Sequence, residues 1–323
     1  MKRLIVNAAI LLGLACAAIV PAAAQQWPNK QIKAVVPFPA GGGTDLMGRL
    51  VAKHLGDLLG QQVYVENIGG ANGSIGVQAV MRAEPDGYTI GVFSDGPMIV
   101  NPALYPNNPY ATLRDFIPVA MVNRFPSMLT AHPSTGIKTV ADLIRVAKEK
   151  PGTLNYSSGG IGNFSHMGLE LLANQTGIKI VHVPYRGIGP ATQAVLAGDV
   201  HLLYNNVATS LEHVRAGKTN GLAIGEAKRM PGLPDVPAIA ETVPGYEFSA
   251  WIGLYVPAKT PPAIVAKLSK AVSDFLHEPS VKKYFSEQFI TASYKDTPEF
   301  TAYVKSELTK WDDVVKKAGI KVQ

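Results

Sequence analysis

The sequence predicts an α/β protein of two domains, each a largely parallel sheet with helices on both faces. Three observations lead there. Short β-branched runs alternate with amphipathic stretches, the pattern of strand, crossover helix and parallel strand. Gly-rich loops stand at strand-to-helix junctions in both halves of the chain. Past an apolar N-terminal leader roughly 300 residues remain, more than one hydrophobic core comfortably serves.

The elements follow in order. Ile32 to Val36 is a short apolar strand, Pro37 to Gly43 a Pro/Gly loop, and Thr44 or Asp45 caps a helix whose Leu46, Leu50, Val51 and Leu55 fall at helical spacing. Val63-Tyr64-Val65 reads as a strand, Gly69 to Gly73 as a turn, Ile75 to Ala83 as a helix stopped before Pro85-Asp86-Gly87, and Tyr88 to Phe93 as a strand. Val119 to Val122 is expected to leave the first domain. The same grammar then repeats: strand Leu129 to Ala131, helix Val140 to Glu149, strand Leu154 to Tyr156, Gly/Ser loop Ser157 to Gly162, helix Phe164 to Gln175, strand Ile180 to Pro184. Arg186-Gly187-Ile188-Gly189-Pro190 opens a helix to Ala197, with Pro190 suited to a first turn. Val200 to Tyr204 and Trp251 to Val256 read as strands, and helices follow from Pro261-Pro262 and from Pro298 to Lys317. The first domain is expected at 25–123 and 252–323, the second at 124–251.

Residues 1–24 read as a secretory leader: Lys2 and Arg3, an apolar run from Leu4 to about Val20, then Ala22-Ala23-Ala24. The run is shorter than the roughly 20 residues that span a bilayer, so cleavage after Ala24 is expected rather than anchoring. Cys16 follows Gly13 at the position where a lipobox has a branched apolar residue, which argues against lipidation. Cleavage removes the single cysteine, and with it disulfide, thiolate-ligand and cysteine-nucleophile chemistry. Losing Lys2 and Arg3 takes the 30 basic residues to 28 against 24 acidic ones. That balance is only mildly basic and scattered, unlike the clustered face of a nucleic-acid binder.

Two matched loops carry the strongest signal for chemistry, Pro39-Ala40-Gly41-Gly42-Gly43-Thr44-Asp45 and Ser157-Ser158-Gly159-Gly160-Ile161-Gly162. Both are expected to aim backbone N–H groups outward at a helix N-terminus, an anion site lying beyond the carboxyl ends of the strands. Neither has a Walker lysine or dinucleotide spacing. A small carboxylate needs only amides and hydroxyls, and Thr44, Ser157 and Ser158 supply hydroxyls. Enzyme signals are weak: no serine sits in G-x-S-x-G, Ser280-Val281-Lys282-Lys283 has no companion motif, and the histidines lack metal spacing. Phe38 and Tyr185, in or beside the loops, are candidates to wall the pocket.

Taken together, Trp27-Pro28, Val36-Pro37-Phe38-Pro39-Ala40-Gly41-Gly42-Gly43-Thr44-Asp45, Val65-Glu66-Asn67, Pro85-Asp86-Gly87-Tyr88-Thr89, His182-Val183-Pro184-Tyr185-Arg186-Gly187 and Pro234-Asp235-Val236-Pro237 with Glu241 resemble the Bug receptors of tripartite tricarboxylate transporters. The resemblance runs over the whole mature chain. It implies an α/β type II periplasmic-binding-protein fold with two crossover segments, closing on a carboxylate without a cofactor or metal. Carried over, the carboxylate contacts are backbone groups at Ala40, Gly41, Gly42, Thr44 and Asp45, then Ser157, Ser158, Gly159 and Gly160, with Tyr185, Arg186 and Gly187 as a third loop. Two departures stand out. Asn205 replaces an acid that commonly faces the cleft, and Asp95, after Ser94, stands where small neutral residues are usual and can meet a ligand or cap a helix. Expected partners are a mono- or dicarboxylate, aromatic ones included, and integral membrane transporter subunits, or a sensor kinase in a signalling role. Neither nucleic acid nor a second copy of the chain is expected.

Overall fold

The computed structural model describes residues 27–320; the expected leader and its cleavage site lie outside them. Two sheets organise the chain. The first has strand order β11-β4-β10-β3-β1-β2, with β1 at Ile32–Val36, β2 at Val63–Asn67, β3 at Thr89–Ser94, β4 at Phe116–Phe125, β10 at Ala250–Pro257 and β11 at Thr291–Lys295. The second has order β7-β6-β8-β5-β9, with β5 at Ser127–Ala131, β6 at Asn155–Ser158, β7 at Val181–Pro184, β8 at Leu202–Asn206 and β9 at Asn220–Ile224.

Both sheets are mixed, which corrects the largely parallel expectation. β1 runs parallel to β2 and β3, but β10 is antiparallel to β3 and β4, and β11 to β4. In the second sheet β6 is parallel to β7 and β8 while β5 is antiparallel to β8 and β9. The reason is the crossover. Chain leaves the first sheet along β4 and returns along β10, so these central neighbours must run in opposite directions.

Helix α1, Gly43–Leu59, buries Met47, Val51 and Leu55, whereas Leu46 is 54% exposed. The expected stripe holds at Val51 and Leu55, while Met47 takes the buried place expected of Leu46. Gly48 sets its approach to the sheet, since a Cβ there would come within 2.5 Å of the Val36 side chain. Helices α2 (Ser74–Met81), α3 (Val140–Glu149), α4 (Phe164–Thr176), α5 (Ile188–Ala197), α6 (Val207–Arg215), α7 (Pro262–His277), α8 (Pro279–Glu287) and α9 (Thr297–Ala318) complete the layers.

One apolar cluster packs α1, α7 and α8 on the first sheet through Val51, Leu55, Leu268 and Phe275. A larger one runs through both sheets, joining Phe93 and Met98 to Tyr156, Leu169 and Tyr204, and is closed by Phe300, Val304 and Trp311 of α9. Trp311 meets Phe248 edge-on at 4.7 Å. Beside the crossover strands, Arg124 donates to Glu247 at 2.5 Å and Lys310 to the Glu247 carbonyl at 2.9 Å.

Candidate functional site

The first Gly loop leads from β1 into α1 and leaves that helix open. Gly42 occupies the N-cap position with extended backbone and no side-chain cap. The Leu46 amide is the first to find its carbonyl, Gly42 O at 3.0 Å, so the amides of Gly43, Thr44 and Asp45 lack intrahelical acceptors. Ala40, Gly41 and Gly42 are exposed and Thr44 is half-buried.

Asp45 does not cap the helix. Its buried carboxylate accepts from the Gly41 amide (2.9 Å), Arg49 Nε (3.0 Å) and Asn67 Nδ2 (2.8 Å). Burial works to raise its pKa, but the hydrogen bonds from Arg49, Gly41 and Asn67 prevail and hold it below the ordinary 3.8. The side chain therefore braces the loop from within, and only the Asp45 backbone is offered outward. Gly41 sits at φ 86°, where a side chain would be strained. Asn67, to which sequence reasoning gave no role, also donates to the Phe38 carbonyl at 3.0 Å. The Phe38 ring lies 3.4 Å from where a Cβ on Gly73 would stand, beside Pro97, so a bare Gly73 lets the aromatic wall close down.

Ser94 ends β3 half-exposed. Asp95 after it is buried and makes no side-chain cap to the helical turn Gly96–Val100. Burial, then Glu307, pushes its pKa up to about 7, against amides of its own residue, Trp251 and Gly96. The expected helix cap gives way to a buried place where Glu307 of α9 is the neighbouring charge.

The second Gly loop differs from its expectation. Ser157 and Ser158 are the last residues of β6, so their side chains point to opposite faces. Ser157 Oγ donates to the Ala191 carbonyl at 2.9 Å, and Ser158 Oγ lies 2.5 Å from His182 Nε2. The loop amides are taken as well: Gly159 N–H by Ser165 Oγ (3.0 Å), Gly160 N–H by Ser158 Oγ (3.1 Å), Gly162 N–H by His166 Nδ1 (3.1 Å). Asn163 caps α4 by accepting from Ser165 N at 3.1 Å. The His166 and His182 rings stack at 3.9 Å. Burial depresses them to about 3 and about 4, with His182 adding to the effect on His166, so the pair is neutral at pH 7. In this conformation the expected amide array of the second loop is satisfied internally.

Two other helices of the second sheet start open. α5 begins after Gly187 (φ 110°) with no side-chain cap, Arg186 beside it is exposed, and Tyr185 packs beside Ala191 and Val195. α6 begins after Asn206, also uncapped. Its first amide, Val207 N–H, reaches Pro126 O at 2.9 Å, leaving those of Ala208 and Thr209. Asn205 is buried, with Oδ1 accepting from Asn206 N at 2.7 Å, so its neutral side chain orders the start of α6.

Two features lie between the sheets near the Gly loops. Gly162 packs where a Cβ would lie 2.7 Å from Leu104 and 3.5 Å from Val100 and Asn72. A cavity of about 230 Å³ also lies between the first turns of α1 and α6, walled by Gly43, Leu46, Met47, Phe125, Pro126, Asn206 to Thr209, Tyr284 and Gln288 to Ile290. α6 could have been found from Val207, Leu211 and Val214 at helical spacing.

A family model described as tripartite tricarboxylate transporter family receptor matches residues 47–320. The chain belongs to this receptor family. It is similar over its full length to Protein BugT of Bordetella pertussis, 34% identical across 325 residues, covering 99% of that protein. Among solved structures it resembles Rpa4515 of R. palustris with adipate (TM-score 0.80, 35% identity, 91% of this chain and 99% of the other). It also resembles MatC of Rhodopseudomonas palustris with bound malate (0.77, 32%, 90% and 100%). The two-sheet architecture is thus the type II periplasmic-binding-protein fold, and the chain is a solute-binding receptor rather than an enzyme. Among the described residues no group of three or more His, Cys, Asp or Glu is placed to hold a metal ion, and no helix is long and apolar enough to cross a membrane.

Proposed function

We propose that this receptor is exported to the periplasm by a leader removed after Ala24, closes around a small carboxylate, and passes it to the integral membrane subunits of a tripartite transporter. One lobe comprises 25–123 with 252–323, the other 124–251. The observation that carries the reading is the uncapped start of α1 on an exposed Gly loop, facing a cavity whose far wall is the uncapped start of α6 from the other sheet. Unpaired amides and the positive end of the helix dipole favour an anion. The relatives seen with adipate and malate support a carboxylate.

The first lobe contributes the backbone of Ala40, Gly42, Gly43 and Thr44, with the Gly41 amide held by Asp45 and Phe38 as a wall. The second contributes Arg186 and Gly187 at the start of α5 and the amides at the start of α6. A charge-assisted hydrogen bond is worth roughly 1.5–3 kcal/mol, so a few offset ordering costs and reach micromolar affinity, about −8 kcal/mol. Because the anion touches both lobes, it stabilises the closed form over the open one.

Thermal-shift measurements with acetate, malate, adipate, phenylacetate, glucose and spermidine test this. At least one carboxylate raises the melting temperature and is recovered chemically intact. Stabilisation by the sugar or the polyamine alone overturns the reading. Transport itself is tested by solute uptake in cells carrying the membrane subunits with and without the receptor gene; equal uptake counts against delivery to a permease.

A further inference from the structure

The walls of the interlobe cavity are informative in their composition. Its thirteen lining residues are Gly43, Leu46, Met47, Phe125, Pro126, four from Asn206 to Thr209, Tyr284 and three from Gln288 to Ile290, and none carries a formal charge. Both lobes contribute. Polarity is concentrated at one place, the first turns of α1 and α6, which begin without side-chain caps. The rest is apolar or aromatic except for the neutral amide of Gln288. Leu46 stands 54% exposed and Tyr284 37% exposed, whereas Val51 and Phe285 on the same two helices are packed away.

From this we infer that the preferred ligand is a monocarboxylate with a compact apolar body, ring or short chain, rather than a dicarboxylate. The inference rests on the receptor reading and deepens it. The carboxylate lies against the amides of Gly43 and Thr44 from α1 and of Ala208 and Thr209 from α6. The body fills the space between Leu46, Phe125, Tyr284 and Phe289. A volume of about 230 Å³ exceeds the roughly 150 Å³ apolar cavity that accommodates benzene, which leaves room for a ring and its carboxylate. A second carboxylate on the far end would be buried against uncharged walls at a heavy desolvation cost, because Arg186, the cation at the start of α5, is not among the residues lining this cavity. Asp45, the acid nearest this end of α1, is engaged with Gly41, Arg49 and Asn67 and does not enter the lining.

Isothermal titration of the mature receptor with phenylacetate, hexanoate, adipate and acetate tests the inference. Phenylacetate and hexanoate bind at least tenfold tighter than adipate, and acetate, with no body, binds weakest. Adipate binding as tightly as or tighter than both overturns the inference while leaving the receptor reading in place; binding of none overturns both. Leu46→Ala, at an exposed position that tolerates change, weakens phenylacetate about fivefold through lost apolar contact and leaves acetate unchanged. Leu46→Lys supplies the missing cation and moves the adipate-to-phenylacetate affinity ratio at least tenfold toward adipate. Unaltered ratios in both folded variants, checked by circular dichroism, place the ligand body elsewhere and sink the proposal.

Discussion

The two Gly-rich junctions, Pro37 to Gly43 entering α1 and Gly159 to Asn163 entering α4, look alike as sequence and behave differently as structure. At the first, one acceptor, the Asp45 carboxylate, takes one amide, Gly41 N–H, and the helix start is left open. At the second, Ser158, Asn163, Ser165 and His166 each supply an acceptor, and the amides of Gly159, Gly160 and Gly162 are consumed. Glycine makes an amide approachable. Whether that amide is available depends on acceptors a few residues away, and short polar side chains close to a helix start are the usual competitors.

Four experiments break or sharpen the contrast. The largest effect is expected from Asp45→Ala, which removes a buried carboxylate serving three donors. Discounted for the half-exposed Arg49, the loss is about 2–3 kcal/mol, read from urea denaturation at pH 7, and carboxylate affinity falls with it as the loop loosens. Stability unchanged at pH 7 would remove the brace from the account.

Next is Gly42→Ser, which gives the first junction the cap it lacks. The backbone at Gly42 (φ −80°, ψ 166°) suits any residue, and the nearest atom to a Cβ there is Pro39 O at 3.7 Å. A serine hydroxyl competing for the α1 amides weakens carboxylate binding about tenfold, roughly 1.4 kcal/mol, without loss of stability. Undiminished titration affinity would show that these amides are not the ligand's.

Asn163→Ala is the converse at the second junction. Loss of the cap costs about 1 kcal/mol of stability, while affinity stays within about twofold, because the amides of Gly159, Gly160 and Gly162 are already bonded to Ser165, Ser158 and His166. A tenfold fall in affinity would return that loop to the site.

The fourth experiment reads pH dependence. Asp95, raised by burial and Glu307 from 3.8 to about 7, keeps its proton in the folded protein over a range where the unfolded chain has lost it. Stability therefore declines as pH rises from about 4 to about 7, by less than about 1.4 kcal/mol per pH unit. Asp45 acts in the opposite sense: its lowered pKa contributes stability that is present above 3.8 and lost as pH falls below it. Asp95→Asn flattens the decline between pH 5 and 7 in denaturation midpoints; an unchanged slope would assign the titration to another group.

Much of the fold was legible because period and punctuation agree. Gly60, Gly177 and Gly198 close α1, α4 and α5 in left-handed conformation, and the helices from Pro262 and Thr297 start within a residue of their expected positions. What escaped was set by tertiary context. β11 pairs only because β4 lies beside it, and its exposed Thr291 and Ala292 carry no alternating pattern. α6 and β9 fall between Asn206 and Pro231, where Gly and charged residues obscure a real apolar spacing. At the site, Phe38 and the first loop were readable from composition. The inward roles of Asp45, Ser157 and Asn205 were not, since a carboxylate or hydroxyl beside a glycine carries no mark of which way it turns.

The apolar cluster shared by both sheets has a mechanical consequence. Trp311 and Phe248, with Phe300 and Tyr204, form a packed spine along one flank of the molecule, and none of the residues walling the cavity between α1 and α6 belongs to it. A book opens at its fore-edge and stays bound at its back. On the proposed reading, solute would enter by the flank that carries Leu46 and Thr209, and the angle of opening would be set by how far the bound flank can shear without parting its aromatic stack.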